Sequence, residues 1–180
     1  MKKVLILLAL MMFVGMPVLA QDKPKEEPKK AAAETVDAWA LYKKKGRTWT
    51  HKSTTKMSGM DDMISYVKWE ITEVSETECK YTMTMLDKDK KETFSQKDQV
   101  MKFETAKSTD GKTPETKAPE MTEEKCKVEA GEYDCMKYTM ESAGTKTTSW
   151  MHKQYTSLVV KSHSKSDAYE SVYELVEFKD

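Results

Sequence analysis

The feature that most constrains this fold is a period-two alternation of large and polar side chains, which begins near residue 47. Between Ser65 and Val74, for example, Val67, Trp69 and Ile71 share one face while charged and polar residues alternate with them. Such alternation is typical of half-buried strands, and short turns between them favour antiparallel pairing. We therefore predict a mainly β protein, with a large curved antiparallel sheet or partial barrel of about ten strands. The predicted strands cover 47–57, 63–74, 78–87, 91–96, 98–104, 124–129, 132–141, 145–152, 156–164 and 168–178.

The prolines mark the segments that fall outside this pattern. Residues 21–30 are charged, contain Pro24 and Pro28 and hold no large apolar side chain, so we predict a flexible linker. Residues 105–123 have a similar composition and predict a long disordered loop. One helix is predicted over Ala31–Lys44, where apolar residues recur on one face, lysines fill the last turn and Gly46 follows. Residues 31–180 are thus predicted to form a single domain.

The first 20 residues have the three parts of a signal peptide. Lys2 and Lys3 precede the apolar run Val4–Val14, and Val18-Leu19-Ala20 provides compact residues before the expected cleavage point. The apolar run is shorter than the roughly 20 residues that span a membrane. We predict cleavage, a periplasmic or secreted mature protein, and no transmembrane segment after cleavage.

Composition removes several function classes. Arg47 is the only arginine, and without Lys2 and Lys3 the charge balance is 28 basic against 30 acidic residues. Nucleic-acid binding usually needs a basic surface, so no nucleic-acid partner is expected. No nucleophile-elbow motif or glycine-rich phosphate loop occurs in the sequence, and its Cys and His residues lack the usual zinc-ligand spacing. We expect no cofactor and a protein that is not an enzyme.

The cysteines predict a disulfide. Cys126 and Cys135 bracket a segment with Ala130-Gly131 at its centre. A two-residue turn at that dipeptide places the two cysteines directly opposite each other at a non-hydrogen-bonded position, within reach of a disulfide. Two reduced core cysteines are the alternative. Cys79 alternates with Tyr81, Met83 and Met85 and fits a buried apolar thiol, although its role is left open.

The methionines allow two interpretations. Met57, Met60 and Met63 recur every third residue, and thioethers are ligands that select Cu(I), so this segment is a candidate copper site. Methionines packed against a sheet below a loop are the simpler alternative. Met and aromatic side chains also line adaptable apolar cavities. On that interpretation the candidates for the cavity lining are Trp69, Tyr81, Met83, Met85 and Trp150.

A family resemblance supports the interpretation that Met and aromatic side chains line an apolar cavity. The segments concerned are VEAGEYDC (Val128–Cys135), TTSW (Thr147–Trp150), SLVVKS (Ser157–Ser162) and YELVEF (Tyr173–Phe178), with SYVKWEITEV (Ser65–Val74) resembling a first hairpin. In this order they resemble a group of exported bacterial all-β proteins of unknown function with an A-G-x-[FY]-x-C hairpin. Some of that group are similar to the periplasmic lipoprotein-carrier fold, in which a curved sheet wraps a helix around an apolar cavity. The resemblance implies a carrier, but no functional residue can be transferred from it.

Together these observations predict an exported, non-enzymatic binding protein of the bacterial cell envelope that holds an apolar small molecule or lipid, or binds an envelope protein partner. A Met-rich copper-binding periplasmic protein is one alternative. A structural envelope protein without a small ligand is the other. The sequence does not identify the ligand or the oligomeric state.

Overall fold

The fold is a single antiparallel sheet of nine strands. The computed structural model describes residues 37–103 and 121–180. The sheet is curved and does not close on itself, and its strand order is β4-β3-β2-β1-β9-β8-β7-β6-β5. The strands are β1 (Thr48–Met57), β2 (Met63–Val74), β3 (Glu78–Leu86), β4 (Glu92–Lys102), β5 (Met121–Val128), β6 (Gly131–Ser142), β7 (Thr145–His152), β8 (Val159–Lys165) and β9 (Tyr169–Lys179).

The predicted fold class is confirmed, with nine strands in place of about ten. Residues 91–96 and 98–104, which were predicted as two strands, form the single edge strand β4. The pairing between β3 and β4 shifts register between Met83 and Tyr81, opposite Lys97 and Asp98. Asp98 has a φ of 54°, which interrupts the alternation without ending the strand. A local break in the pattern was therefore mistaken for a turn.

The first and last strands lie side by side in the middle of the sheet. β1 pairs with β2 on one side and with β9 on the other, so β4 and β5 form the two edges.

β5 begins at Met121, three residues before the strand predicted at 124–129. The predicted signal peptide (1–20), the linker (21–30) and residues 105–120 of the predicted loop lie outside the described residues.

The predicted α-helix is wrong over residues 37–44, while residues 31–36 of its range lie outside the described part. Only a 3-10 turn, Ala40–Tyr42, occurs there. The guanidinium of Arg47 explains the difference, because its Nη1 donates to the carbonyls of Ala40 and Leu41 at 2.6 and 2.7 Å. In an α-helix those carbonyls would accept bonds from amides four residues further along.

No helix among the described residues is long and apolar enough to cross a membrane.

The two faces of the sheet differ in charge. Directly paired residues of an antiparallel sheet project to the same face, so the registers define rows of side chains that run across the strands. We call one side the uncharged face, because four consecutive rows on it contain no Asp, Glu, Lys or Arg. These rows are Trp49, Trp69, Met83, Gln96 and Phe178; His51, Val67, Met85, Phe94 and Leu175; Ser53, Ser65, Tyr173, Ser162, Ser149 and Tyr138; and Thr55, Met63, Ser171, Ser164, Thr147 and Met140.

The opposite side, which we call the charged face, holds the residues between these rows. Lysines and glutamates recur there in register across neighbouring strands. One such row contains Lys52, Glu174, Lys161 and Lys137, and another contains Lys56, Glu170, Lys165, Lys146 and Glu141.

The hydrophobic core lies where the 3-10 turn covers the uncharged face. Leu41 of that turn packs with Trp49, Ile71 and Leu175, all at most 3% exposed, and with Leu158 from the connection between β7 and β8. Arg47 is 5% exposed and forms hydrogen bonds with the 3-10 turn, with Tyr155 in the β7–β8 connection and with Asp180. Besides the two carbonyls of the turn, its guanidinium binds the Asp180 carboxylate and the Tyr155 hydroxyl and lies over the Tyr155 ring.

At the β5–β6 hairpin, the side of the strands that packs on the core is not the side that belongs to the uncharged face further along β6. Its turn consists of Glu129 and Ala130, and the Ala130 amide donates to the Leu175 carbonyl of β9 at 3.3 Å. This contact lies beyond the last β8–β9 pair, where the two strands have separated. The side of the hairpin that carries Cys126, Val128, Tyr133 and Cys135 therefore packs on the core.

The predicted turn at Ala130-Gly131 is wrong by one residue. Val128 pairs with Gly131 and Cys126 pairs with Tyr133, so Cys135 lies diagonally from Cys126 on the same face. The observed turn is fixed by the Ala130–Leu175 bond and by the Tyr133 hydroxyl, which donates to the Ala130 carbonyl at 3.1 Å. Both cysteines are free thiols in the structure, so the disulfide stays a prediction.

Candidate ligand-binding face

Four of the five predicted cavity residues lie together on the uncharged face. Trp69 of β2 pairs with Met83 of β3, Tyr81 and Met85 flank Met83 on the same strand face, and all four are partly buried. Phe94 of the edge strand pairs with Met85 and is 47% exposed. With Val67, these side chains form an apolar patch across β2, β3 and β4.

Aromatic rings connect this patch to the core. The rings of Trp49 and Trp69 are stacked, with centroids 5.9 Å apart and planes 5° from parallel. Tyr81 lies against Trp69 at 5.2 Å, and Tyr42 of the 3-10 turn meets Trp49 edge-on at 5.9 Å. Burial raises the pKa of Tyr42 to about 12, so its hydroxyl is neutral at physiological pH. Rigid rings of this kind provide a large apolar surface that loses little conformational entropy on contact.

The other half of the uncharged face is covered by hydroxyl groups. We call its two rows the hydroxyl rows: the first contains Ser65, Ser53, Tyr173, Ser162, Ser149 and Tyr138, and the second contains Thr55, Ser171, Ser164 and Thr147 between Met63 and Met140. Several neighbours bond to each other, namely Thr55 with Ser171 at 3.1 Å, Ser149 with Ser162 at 3.1 Å, and Thr147 with Ser164 at 2.9 Å.

His51 lies where the apolar patch meets the hydroxyl rows. The side chain is 4% exposed, and its ring stacks on Tyr173 with a centroid distance of 4.3 Å. Nε2 lies 2.7 Å from the Val159 carbonyl and therefore carries the proton that it donates. Nδ1 is then an acceptor, and it has no partner among the described residues. Burial lowers the pKa of His51 to about 4, which keeps the ring neutral.

The sequence analysis does not predict the hydroxyl rows, although a signal is present. In β8, for example, Ser162 and Ser164 alternate with Lys161, His163 and Lys165. In β1, Ser53 and Thr55 lie between Lys52 and Lys56. Each hydroxyl is unremarkable alone, and only the register brings those of six strands into one surface.

Trp150, the fifth predicted cavity residue, lies on the charged face. It pairs with Lys137 and Lys161, and the Lys137 ammonium lies 5.4 Å from the centre of its ring. Its indole N–H donates to the Glu124 carboxylate. Trp150 therefore does not share a face with the other four candidates, because the alternation along β7 puts it opposite to Ser149 and Thr147, and it packs against the cluster of Cys126, Cys135 and Val160.

The three candidate copper ligands occupy the connection between β1 and β2. Met57 ends β1, Met63 begins β2, and Met60 lies in the turn and is 60% exposed. Among the described residues, no three His, Cys, Asp or Glu side chains are grouped so that they could hold a metal ion. That finding does not test a site made of thioethers, so copper binding stays a prediction.

A cleft of about 230 Å³ lies beside the β5–β6 hairpin, away from the uncharged face. It is lined by Glu123, Glu124, Lys125, Asp134, Cys135 and Lys153. Two of its three carboxylates are engaged within the protein, because Glu123 pairs with Lys153 at 2.7 Å and Glu124 with Lys137 at 3.1 Å. Cys135 is fully buried, and burial raises the pKa of its thiol to about 12, so it is not a reactive thiolate.

Comparison with known proteins identifies the fold. Neither protein-family models nor curated protein sequences give a match. Among solved structures, the chain is similar to a Bacteroides fragilis protein described as exported with a YmcC-like fold, at 13% identity over 78% of this chain and 98% of that chain, with a TM-score of 0.51. A LolA-superfamily protein from Nitrosomonas europaea matches at 6% identity over 79% of this chain and 89% of that chain, with a TM-score of 0.33.

Proposed function

We propose that this protein is an exported, non-enzymatic binding protein of the bacterial cell envelope that holds an apolar or lipid ligand on its uncharged face. The observation that carries the proposal is the division of charge in the sheet. A third of the chain is charged, yet four rows that cross most of the sheet contain no charged side chain. Solvated sheet faces carry charged residues, whereas apolar patches with exposed edges are typical of binding surfaces.

Two observations support the proposed location. Residues 1–20 have the pattern of a signal peptide, and the Bacteroides fragilis protein with a similar fold is described as exported. In the envelope the ligand surface would meet lipids and lipidated proteins, and an envelope protein partner could deliver or receive the ligand. No catalytic role is proposed, because on the uncharged face the buried base, His51, stacks on Tyr173 and has no carboxylate bonded to it.

The proposal is tested with N-phenylnaphthylamine, a neutral apolar dye that fluoresces when it leaves water. The protein purified from an exporting bacterial host is expected to bind the dye with a dissociation constant in the micromolar range. Met85→Glu places a carboxylate in the apolar patch and is expected to weaken dye binding at least about tenfold, because an unpaired charge is costly beside apolar surface. Thr84→Glu is the matched control, since Thr84 is the preceding residue and faces the charged side.

The two variants must first have the circular dichroism and melting temperature of a folded protein. If Met85→Glu does not fold, Phe94→Glu replaces it, because Phe94 is on the edge strand and already 47% exposed. Dye binding that is absent in the wild type, or equally weakened by both glutamates, would refute a ligand on the uncharged face.

A further inference from the structure

The hydroxyl rows add a second chemical character to the proposed ligand surface. Ten serine, threonine and tyrosine side chains lie there in register, next to the apolar patch and without a charged residue between them. A surface that bound only hydrocarbon would gain nothing from these groups, because burying an uncompensated hydroxyl is unfavourable. Hydroxyl groups with remaining hydrogen-bonding capacity favour a ligand that places polar atoms on this part of the face.

The bonded pairs keep hydrogen-bonding capacity for a ligand. A hydroxyl has one donor and two acceptor lone pairs. In the pair of Ser149 and Ser162, one donor is used between the two oxygens. Ser149 is only 4% exposed, so the donor and lone pairs that a ligand can reach belong to the partly buried Ser162. Thr55 with Ser171, and Thr147 with Ser164, provide the same arrangement on neighbouring strands. The rows can therefore both donate to and accept from a bound group.

His51 independently indicates that a donor is missing from this surface. Its Nδ1 atom is a buried acceptor without a partner among the described residues, on a ring that stacks against Tyr173 of the first hydroxyl row. A buried polar atom without a partner costs free energy comparable to a lost hydrogen bond. A ligand that supplies an O–H or N–H at this position removes that cost.

The charge of the surface restricts the ligand further. No lysine occurs in the four rows, and Arg47 at their border has its guanidinium bound to Asp180, Tyr155 and two carbonyls. A phosphate or carboxylate placed here would be desolvated without a counter-ion, which is strongly unfavourable. An uncharged group with several hydroxyls meets no such penalty.

We propose that the hydroxyl rows and His51 bind the uncharged, hydroxyl-bearing head of an amphiphilic lipid, whose acyl part lies against Val67, Met85 and Phe94. A glycerol or a sugar head has this chemistry. The inference rests on the proposed function, and it specifies the ligand class as a neutral amphiphile.

The test compares head groups on one acyl chain. Monooleoylglycerol, oleate and oleoyl lysophosphatidylglycerol are used below their micellar concentrations to displace N-phenylnaphthylamine from the protein. Monooleoylglycerol is expected to bind at least about tenfold more tightly than either anion. Equal binding of all three, or tighter binding of an anion, would overturn the inference while leaving the proposed function standing. If neither the dye nor any lipid binds, the proposed function itself fails.

A pair of double variants then locates the head group. Ser149→Ala with Ser162→Ala removes a bonded hydroxyl pair from the uncharged face, so no orphan partner remains. This change is expected to weaken monooleoylglycerol about fivefold for each hydrogen bond lost to the head, and to leave dye binding unchanged. Thr139→Ala with Thr148→Ala is the matched control, because these hydroxyls bond to each other at 3.0 Å on the charged face.

Both double variants are first checked for an unchanged melting temperature. Ser53→Ala, at a partly buried position in the first hydroxyl row beside His51, is used if the serine pair destabilises the fold. Unchanged monooleoylglycerol affinity in a folded variant from the hydroxyl rows would exclude these hydroxyls from the head-group site.

Discussion

At the scale of single residues, two buried polar side chains set the local structure. Arg47 converts a predicted helix end into a 3-10 turn by occupying two carbonyls, and His51 holds β8 against β1 through the Val159 carbonyl. Composition marks Arg47 only as the single arginine of the chain, and His51 only as one of three histidines. The bond of His51 to Val159 spans 108 positions, and the bonds of Arg47 to Tyr155 and Asp180 span 108 and 133, so no local pattern encodes these contacts.

Replacement of Arg47 is expected to destabilise the protein. Arg47→Lys keeps the charge but cannot reach the carboxylate, the hydroxyl and both carbonyls at once, because an ammonium lacks the planar fork of a guanidinium. We expect a loss of about 2 kcal/mol in the free energy of unfolding, measured by urea denaturation. Lys44→Ala is the control, since the Lys44 ammonium also approaches Asp180, at 3.4 Å, but is exposed and contributes less than about 0.5 kcal/mol. Equal losses for both would contradict this role of Arg47.

Stability is expected to fall in mild acid because of His51. Its pKa is about 4 in the folded protein and 6.5 in the unfolded chain, so between these values the unfolded state binds the extra proton. The folded state is therefore favoured above pH 6.5, and this contribution is lost as the pH falls towards 4, at about 1.4 kcal/mol per pH unit. Urea denaturation at pH 7, 6 and 5 should show a smaller slope for His51→Gln than for the wild type.

His163→Gln is the matched control for that experiment. His163 lies on the charged face, where Nε2 is 2.8 Å from the Glu170 carboxylate. Burial also lowers the pKa of His152, so a slope from that residue persists in both variants. If His51→Gln keeps the full wild-type slope, His51 does not determine the acid sensitivity.

At the scale of elements, the sequence predicts the positions of the strands well, but it predicts poorly which residues pair between neighbouring strands. Eight of the nine strands were found as single predicted segments with ends within a few residues, since period-two alternation is a local signal. The β5–β6 register was wrong because its turn is fixed by a bond from Ala130 to the distant Leu175. Trp150 was assigned to the wrong face for a related reason: which side of β7 is uncharged depends on the neighbouring strands.

The β5–β6 hairpin is expected to carry a Cys126–Cys135 disulfide when the protein is exported. The two thiols share one face and are buried in the same cluster, and the envelope is oxidising. After denaturation and alkylation, exported protein should show one free cysteine, Cys79, by mass spectrometry, and protein retained in the cytosol should show three. Reduction should then cost about 2.5–3 kcal/mol of stability for a loop of about ten residues. Three free cysteines in the exported protein would establish the thiol form as native.

At the scale of the whole molecule, strand order separates a protected centre from two edges. β1 and β9 have a neighbour on each side, whereas nearly every residue of β4 is exposed. A curved sheet was predictable from the number of strands and their short turns. The β1–β9 pairing was not, because it joins segments more than 110 residues apart and leaves no mark in local composition.

Hydrogen exchange is expected to follow this order. Backbone amides of β1 and β9 should exchange at least about tenfold more slowly than those of β4, because edge hydrogen bonds open by local fraying while central ones need a larger unfolding event. Exchange followed by mass spectrometry of peptic peptides resolves the strands. Similar protection in β4 and β1 would mean that β4 is covered in solution.

The position of β9 has a consequence for how the chain acquires its structure. Two local groups, β1–β4 and β5–β8, can each form from neighbouring hairpins, but they share no pairing until the last eleven residues of the sheet are present. Pairing over so long a separation is entropically slow. In a polypeptide threaded N-terminus first through a translocation channel, the two groups would therefore stay separate until the final strand emerges, and the sheet would be completed on the far side of the membrane.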